Sequence, residues 1–223
     1  MKKVGVLGCT GEIGKRIVEL LQKNYSVKAG FHKVNPDKMW SSVEYSQFDI
    51  HDRKRLTFFI QECYIVINCA GASFIDGMYV AQICSDTGAI YIDPFGANYL
   101  EQEIRKANVP GTFILSCGCF PGFTGLAMKY LCDSYESVNS ISGICIDRQI
   151  PGVNGIIDFI ISGLKGFGET SYYYYAGNKK YDDKQENFRD YDGKEVEIQK
   201  YFTIKIEYIF KILHQVCLKK WLP

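Results

Sequence analysis

At 223 residues, with 47% apolar and 23% charged residues, the chain is long enough to bury a sizeable core and has an ordinary globular balance. A formal net charge of +1 supplies no global field for nucleic acid or an acidic membrane surface, so neither is expected as a partner. No apolar run reaches the roughly 18 residues of a membrane span, and Met1-Lys2-Lys3 leads into a strand, not a signal-peptide core; a cytoplasmic protein is expected.

In chain order, Val4, Val6 and Leu7 read as a short buried parallel strand. Gly8, Gly11 and Gly14 follow at three-residue spacing, and Lys15 to Asn24 reads as a helix. A strand that enters a helix through such a loop leaves backbone N–H groups at the helix N-terminus, where they can cradle a pyrophosphate. The loop Gly8, Thr10, Gly11, Glu12, Ile13, Gly14 is therefore the expected phosphate site, with Glu12 directed to solvent and Cys9 filling a small gap.

Further strands are expected at Tyr25 to Phe31, Val43 to Phe48, Tyr64 to Cys69, Ala89 to Ile92 and Thr112 to Ser116. Helices are expected at Arg53 to Glu62, at Asp76 to Thr87 with Asp76 as its N-cap, at Ala97 to Asn108 and at Gly122 to Tyr135. Strands alternating with helices predict an α/β fold with a doubly wound parallel Rossmann sheet over residues 1–135.

Residues 136–223 change in character and read as a small α+β substrate or dimerisation region. Val138 to Ile146 alternates like a strand, Gly152 to Leu164 reads as an apolar helix, and Tyr172 to Tyr175 is β-prone. Gly177-Asn178 marks a turn before a polar stretch, Lys179 to Lys194. From Ile206, apolar residues at helical spacing predict an amphipathic tail helix, which points to a homodimer. The nine cysteines are odd in number and scattered, as free thiols in a reducing compartment are; with three histidines, no metal site is expected.

The end of the second strand selects the nucleotide in such a fold, because an acidic residue there bonds the ribose 2′-OH and repels a 2′-phosphate. Here it reads Gly30-Phe31-His32-Lys33, so His32 and Lys33 favour NADP, with NAD as the alternative. Asp49, ending the third strand, is expected near the adenine. Cys69, Ala70 and Gly71, after the fourth strand, are expected beside the nicotinamide ribose.

Gly8 to Gly14, Ile65-Val-Ile-Asn-Cys-Ala-Gly71, Ala89-Ile-Tyr-Ile-Asp93 and Ser116-Cys-Gly-Cys-Phe-Pro-Gly122 together resemble the saccharopine dehydrogenase-like family over roughly residues 1–135. The resemblance implies a Rossmann domain joined to an α+β domain. It also implies hydride transfer between NADP(H) or NAD(H) and a carbon–nitrogen or carbonyl group of an amino-acid-derived small molecule. Two departures stand out. Phe120 occupies a position where the family commonly has aspartate, and the region after residue 135 is shorter than the family's second domain, as in a shortened or diverged member.

The residues do not identify a catalytic group. Asp93 ends the fifth strand and Cys119 lies in the turn after the sixth, both near the expected crevice, but an aspartate before proline more often caps a turn and a cysteine there more often packs. Short-chain dehydrogenases use Tyr-x-x-x-Lys on one helical face; Tyr175 to Lys179 and Tyr201 to Lys205 have the spacing, but the first contains Gly177-Asn178 and neither follows a catalytic serine strand. Two functions therefore remain: an NADP(H)-dependent oxidoreductase, or a non-catalytic protein that retains only the nucleotide-binding half.

Overall fold

The computed structural model describes residues 3–95, 97–118 and 122–138, position 157, and four short strands between 172 and 197. In chain order the elements are β1 (Lys3–Leu7), α1 (Glu12–Leu21), β2 (Val27–Phe31), β3 (Val43–Gln47), α2 (Arg53–Gln61), β4 (Cys63–Asn68), a π-helical turn (Ser73–Gly77), α3 (Met78–Thr87), β5 (Ile90–Asp93), α4 (Ala97–Lys106), β6 (Phe113–Leu115) and α5 (Phe123–Asp133). The six strands form one parallel sheet in the order β3-β2-β1-β4-β5-β6.

Period-two alternation explains how one strand serves both faces of that sheet. Val6 packs with Cys9, Val18, Val27, Ala29 and Val43 under α1, whereas its neighbour Leu7 joins a larger core with Phe48, Leu56, Phe59, Ile60, Val66, Val80 and Leu100 under α2, α3 and α4. Each fully buried aliphatic side chain contributes roughly 1.5–3 kcal/mol of transfer free energy, so the two layers together carry most of the driving force. Glycine is needed where layers close in: a Cβ on Gly5 would lie 2.8 Å from Cys63 Sγ.

At the N-terminal ends of the strands sits a charged cluster that composition alone did not announce. Lys28, on β2, is 2% exposed, yet its Nζ lies 3.0 Å from Glu62 Oε1 and 3.4 Å from Glu44 Oε1. Its stem runs beside the Phe58 and Phe59 rings, each centroid 5.2 Å from Nζ. Lys3 pairs with the same two glutamates. The ring of two cations and two carboxylates closes the sheet at the end away from the β–α loops.

Helix starts differ from the sequence expectation at one telling place. Asp52 caps α2 by accepting the Arg55 backbone N–H at 3.1 Å, but Asp76 caps nothing. It lies inside the π-helical turn that runs on into α3, and its carboxylate is directed sideways to His51. The remaining elements expected up to residue 135 are found with ends shifted by a few residues, as fraying ends allow.

The chain divides into two compact units, residues 1–123 and 124–223. Among the described residues of the second, β7 (Tyr172–Tyr175) pairs antiparallel with β8 (Asn178–Tyr181), and β9 (Asn187–Arg189) with β10 (Glu195–Glu197). Tyr175 pairs with Asn178 and Tyr174 with Lys179, so Asn178, expected in a turn, is the first residue of β8. Tyr175 and Lys179 share no helical face, which removes the first Tyr-x-x-x-Lys candidate. The strand expected at Val138 to Ile146 beyond its first residue, the helix expected at Gly152 to Leu164 apart from position 157, Tyr201 to Lys205 and the tail helix lie outside the described residues. None of the described helices is long and apolar enough to cross a membrane.

Candidate functional site

Strand order reverses between β1 and β4, and the loop after β1 lies over that reversal. Gly8 and Cys9 both donate their N–H to the Gly30 carbonyl of β2 at 3.0 Å, while Cys69 at the end of β4 donates to Leu7 at 3.0 Å. The loop is thereby tied to the strands on either side. Gly8 has φ +74°, and a Cβ there would lie 2.4 Å from the Cys69 carbonyl oxygen. Conformation and space both demand glycine.

The other two glycines separate cleanly. A Cβ on Gly14 would meet the Gly8 carbonyl oxygen at 2.1 Å, so α1 packs on its own loop through bare backbone. On Gly11, in extended backbone, a Cβ would meet nothing of the chain nearer than that same oxygen at 3.4 Å. The space beside Gly11 is open. Facing it is the start of α1, where no side chain caps the first-turn N–H groups of Glu12, Ile13 and Gly14. Glu12 leans away and pairs with Lys15 in solvent, and Thr10 is half-buried within the loop. Cys9 is buried beneath it, its thiol pushed up to about 11 by burial, so it packs and is no nucleophile.

At the neighbouring strand ends, His32 and Lys33 follow β2 and are exposed. The fold brings Asp49, beyond β3, to 3.5 Å from His32 Nε2. The β2 end therefore has a carboxylate beside it that spacing along the chain did not disclose. Asp49 Oδ1 accepts the His51 backbone N–H at 2.9 Å and lies 3.0 Å from His51 Nδ1, contacts that hold its pKa below the usual carboxylate value. His51 Nε2 in turn lies 3.0 Å from Asp76 Oδ1. Asp76 packs into the loop after β4, where Gly71 has φ +68° and a Cβ would strike Asp76 Oδ2 at 2.4 Å. His51 and Asp76 were missed as site residues; Asp49-Ile-His51 at a strand end was the signal available.

Residues 4–110 match the family model of the saccharopine dehydrogenase NADP binding domain. That stretch belongs to this domain family. It is an NAD(P)-binding Rossmann domain of the saccharopine dehydrogenase type. Among solved structures, L-Glu-forming saccharopine dehydrogenase from Saccharomyces cerevisiae is similar at 14% identity and TM-score 0.48, over 60% of this chain and 31% of that one. Uronate dehydrogenase from Agrobacterium tumefaciens is similar at 19% identity and TM-score 0.37, over 42% of this chain and 40% of that one. An isoflavone reductase is similar at 20% identity and TM-score 0.41, over 52% of this chain and 49% of that one. The chain thus spans less than half the length of each of these. No curated protein sequence matches it.

On the other side of the saccharopine dehydrogenase-type crevice, Cys69, Ala70 and Gly71 form the loop between β4 and the π-helical turn. Ala70 N–H donates to Asn68 Oδ1 at 3.2 Å, and the Cys69 thiol is pushed up to about 12, mainly by burial. Asp93 turns inward. It is fully buried, and its carboxylate accepts from Ser73 Oγ at 2.8 Å, Tyr91 OH at 2.6 Å and the Phe95 N–H at 2.9 Å. Asn68 Nδ2 donates to the Tyr91 hydroxyl at 3.0 Å and completes the network. Burial raises the Asp93 pKa; its bonds from Ser73 and Phe95 tie the strand end to the neighbouring turns, and that from Tyr91 stays within β5. Its place is that of a turn cap. Cys119 lies outside the described residues.

Proposed function

We propose that the crevice at the β1–β4 reversal binds NADP(H), with the pyrophosphate on the first-turn N–H groups of Glu12, Ile13 and Gly14. The open space at Gly11 carries the reading: the chain's own packing fills the space beside positions 8 and 14, but leaves that beside 11 open to an incoming group. A helix N-terminus with bare N–H groups supplies the matching partial positive charge. His32 and Lys33 would flank a 2′-phosphate, with Thr10 lining the phosphate loop. Asp49 would face the adenosine, and the Cys69-Ala70-Gly71 backbone would lie beside the nicotinamide ribose.

The bound nicotinamide would supply a hydride, and the resemblance read from the sequence makes an amino-acid-derived imine or carbonyl the expected acceptor. Asp93 supports a second reading, a dinucleotide-binding protein without turnover, because this carboxylate at the end of β5 is fully buried in a structural network. Titration of NADPH and NADH by nicotinamide fluorescence, followed by NADPH oxidation with imines formed from 2-oxo acids and amino acids, separates the two. Turnover establishes the oxidoreductase; NADPH binding with no turnover on such imines establishes the second reading. Absence of binding below about millimolar, the weak end of specific affinity, overturns both. Tighter binding of NADH than NADPH would reverse the nucleotide preference.

A further inference from the structure

Both ring nitrogens of His51 sit 3.0 Å from carboxylate oxygens, Nδ1 from Asp49 Oδ1 and Nε2 from Asp76 Oδ1. An ionised carboxylate only accepts, so both contacts are hydrogen bonds only when both nitrogens carry protons. The arrangement selects the imidazolium. Its two partners belong to different walls of the crevice. Asp49 follows β3 on the expected adenosine side, and Asp76 fills the corner at Gly71 on the opposite side of the reversal.

We propose that His51 is a positioning residue: as an imidazolium between Asp49 and Asp76 it braces the dinucleotide crevice, and NADP(H) affinity falls when it loses its proton. The inference rests on the dinucleotide reading above and adds pH regulation to that site. Neutral His51 can donate to only one carboxylate. The Asp76 side chain is 12% exposed and Asp49 45%, so the bond to Asp76 is kept and Asp49 is released to water. Asp49 then retains the His51 backbone N–H and its 3.5 Å contact with His32 Nε2. The other groups around the ring are Tyr79 of α3, stacked at 6.3 Å between centroids, and His32, beyond Asp49 Oδ2 at 3.5 Å. Nearby Asp52 caps α2, and Arg53 pairs with Asp86 at 3.2 Å. Asp76 first, then Asp49, raise the His51 pKa above the ordinary histidine value.

The test compares NADPH affinity of the full chain and of His51→Gln between about pH 6 and about pH 9, a range that spans histidine titration. The ratio of the two cancels the ligand's own 2′-phosphate titration and that of other groups common to both proteins. The wild type is expected to bind about two- to fivefold tighter than the variant at the acid end and equally at the alkaline end, the size of a screened ion pair. In parallel, the Cε1 proton of His51 is followed by NMR; with three histidines, the resonance absent from His51→Gln identifies it. Its midpoint should lie above 6.5 and move further up when NADPH is added. A ratio independent of pH, or a midpoint at or below 6.5, overturns the brace. If neither protein binds NADPH at any pH, the dinucleotide reading fails, while the midpoint in the free protein still decides whether the two carboxylates hold the imidazolium. Should the variant fail to fold, the wild-type resonance and its response to NADPH decide alone.

Discussion

Replacing Gly14 and Gly11 by alanine, one at a time, divides the glycine loop into its packing and its binding parts. In Gly14→Ala the new Cβ lies 2.1 Å from a backbone carbonyl oxygen, 2.9 Å from its carbon and 3.0 Å from Cys9 Cα. None of these atoms can rotate aside. Restoring an ordinary 3.4 Å contact needs α1 to move about 1.3 Å from the loop, which unseats Val18 and Ile17 from the core under α1. Overpacking of this kind costs about 1–3 kcal/mol, and about 2–4 °C of Tm per kcal/mol for a chain of this size. In Gly11→Ala the nearest contact is already ordinary at 3.4 Å, and the backbone is extended. Losing glycine at the helix cap costs about 0.5 kcal/mol or more, and the stiffer unfolded chain returns a similar amount, so Tm should stay within a few degrees. NADPH affinity should instead fall at least about tenfold, because the methyl group occupies the space assigned to phosphate. Differential scanning calorimetry and fluorescence titration read the two effects separately. Wild-type affinity in Gly11→Ala would refute the cradle, and an unchanged Tm in Gly14→Ala would refute the packing argument.

Three further outcomes test the interior. Lys28→Ala should lower stability by about 2–3 kcal/mol in urea unfolding, since it removes a buried stem along with the charge, whereas Lys28→Met should cost less than about 1 kcal/mol because Glu44 and Glu62 are partly exposed and keep Lys3. The pH profile of that stability has a definite sign. Hydrogen bonds from the lysines hold Glu44 and Glu62 below their ordinary value of 4.5, so their contribution is present above 4.5 and lost as pH falls through the lower folded values; Lys3 is raised above 10.5, so its contribution is present below 10.5 and lost as pH rises through the folded value. The cluster's own contribution should therefore be constant between these limits, and the acid limb of the urea midpoints should be shallower in Glu62→Gln; an identical acid limb would count against the cluster. Asp93→Ala leaves Ser73 Oγ, Tyr91 OH and the Phe95 N–H without their acceptor and should cost about 2–4 kcal/mol, measured by thermal unfolding; a variant as stable as wild type would contradict the turn-cap assignment.

Much of the nucleotide half was legible because its signals are local. Apolar runs such as Val4 to Leu7 and Ile65 to Asn68 fix strands by composition, and the glycine spacing after β1 reflects backbone geometry within a few residues. Asp76 shows where that reasoning fails. An aspartate ahead of a helical run reads as an N-cap, yet a histidine 25 residues away in sequence competes for the same carboxylate and wins. Lys28 lies in a stretch read only as a strand, and the meeting of β2 with Glu44 and Glu62 makes its burial tolerable.

The sequence by itself determined the parallel α/β layering, the glycine loop and the family of the stretch 4–110, since periodicity, turn chemistry and short motifs are written along the chain. Tertiary structure alone decided which glycine leaves room for a ligand, which carboxylate is buried and which faces the crevice. It also set the partners of His51. Those properties depend on distances between residues far apart in sequence, and the strand order β3-β2-β1-β4-β5-β6 is what brings Gly8 to Cys69, and Asp49 through His51 to Asp76.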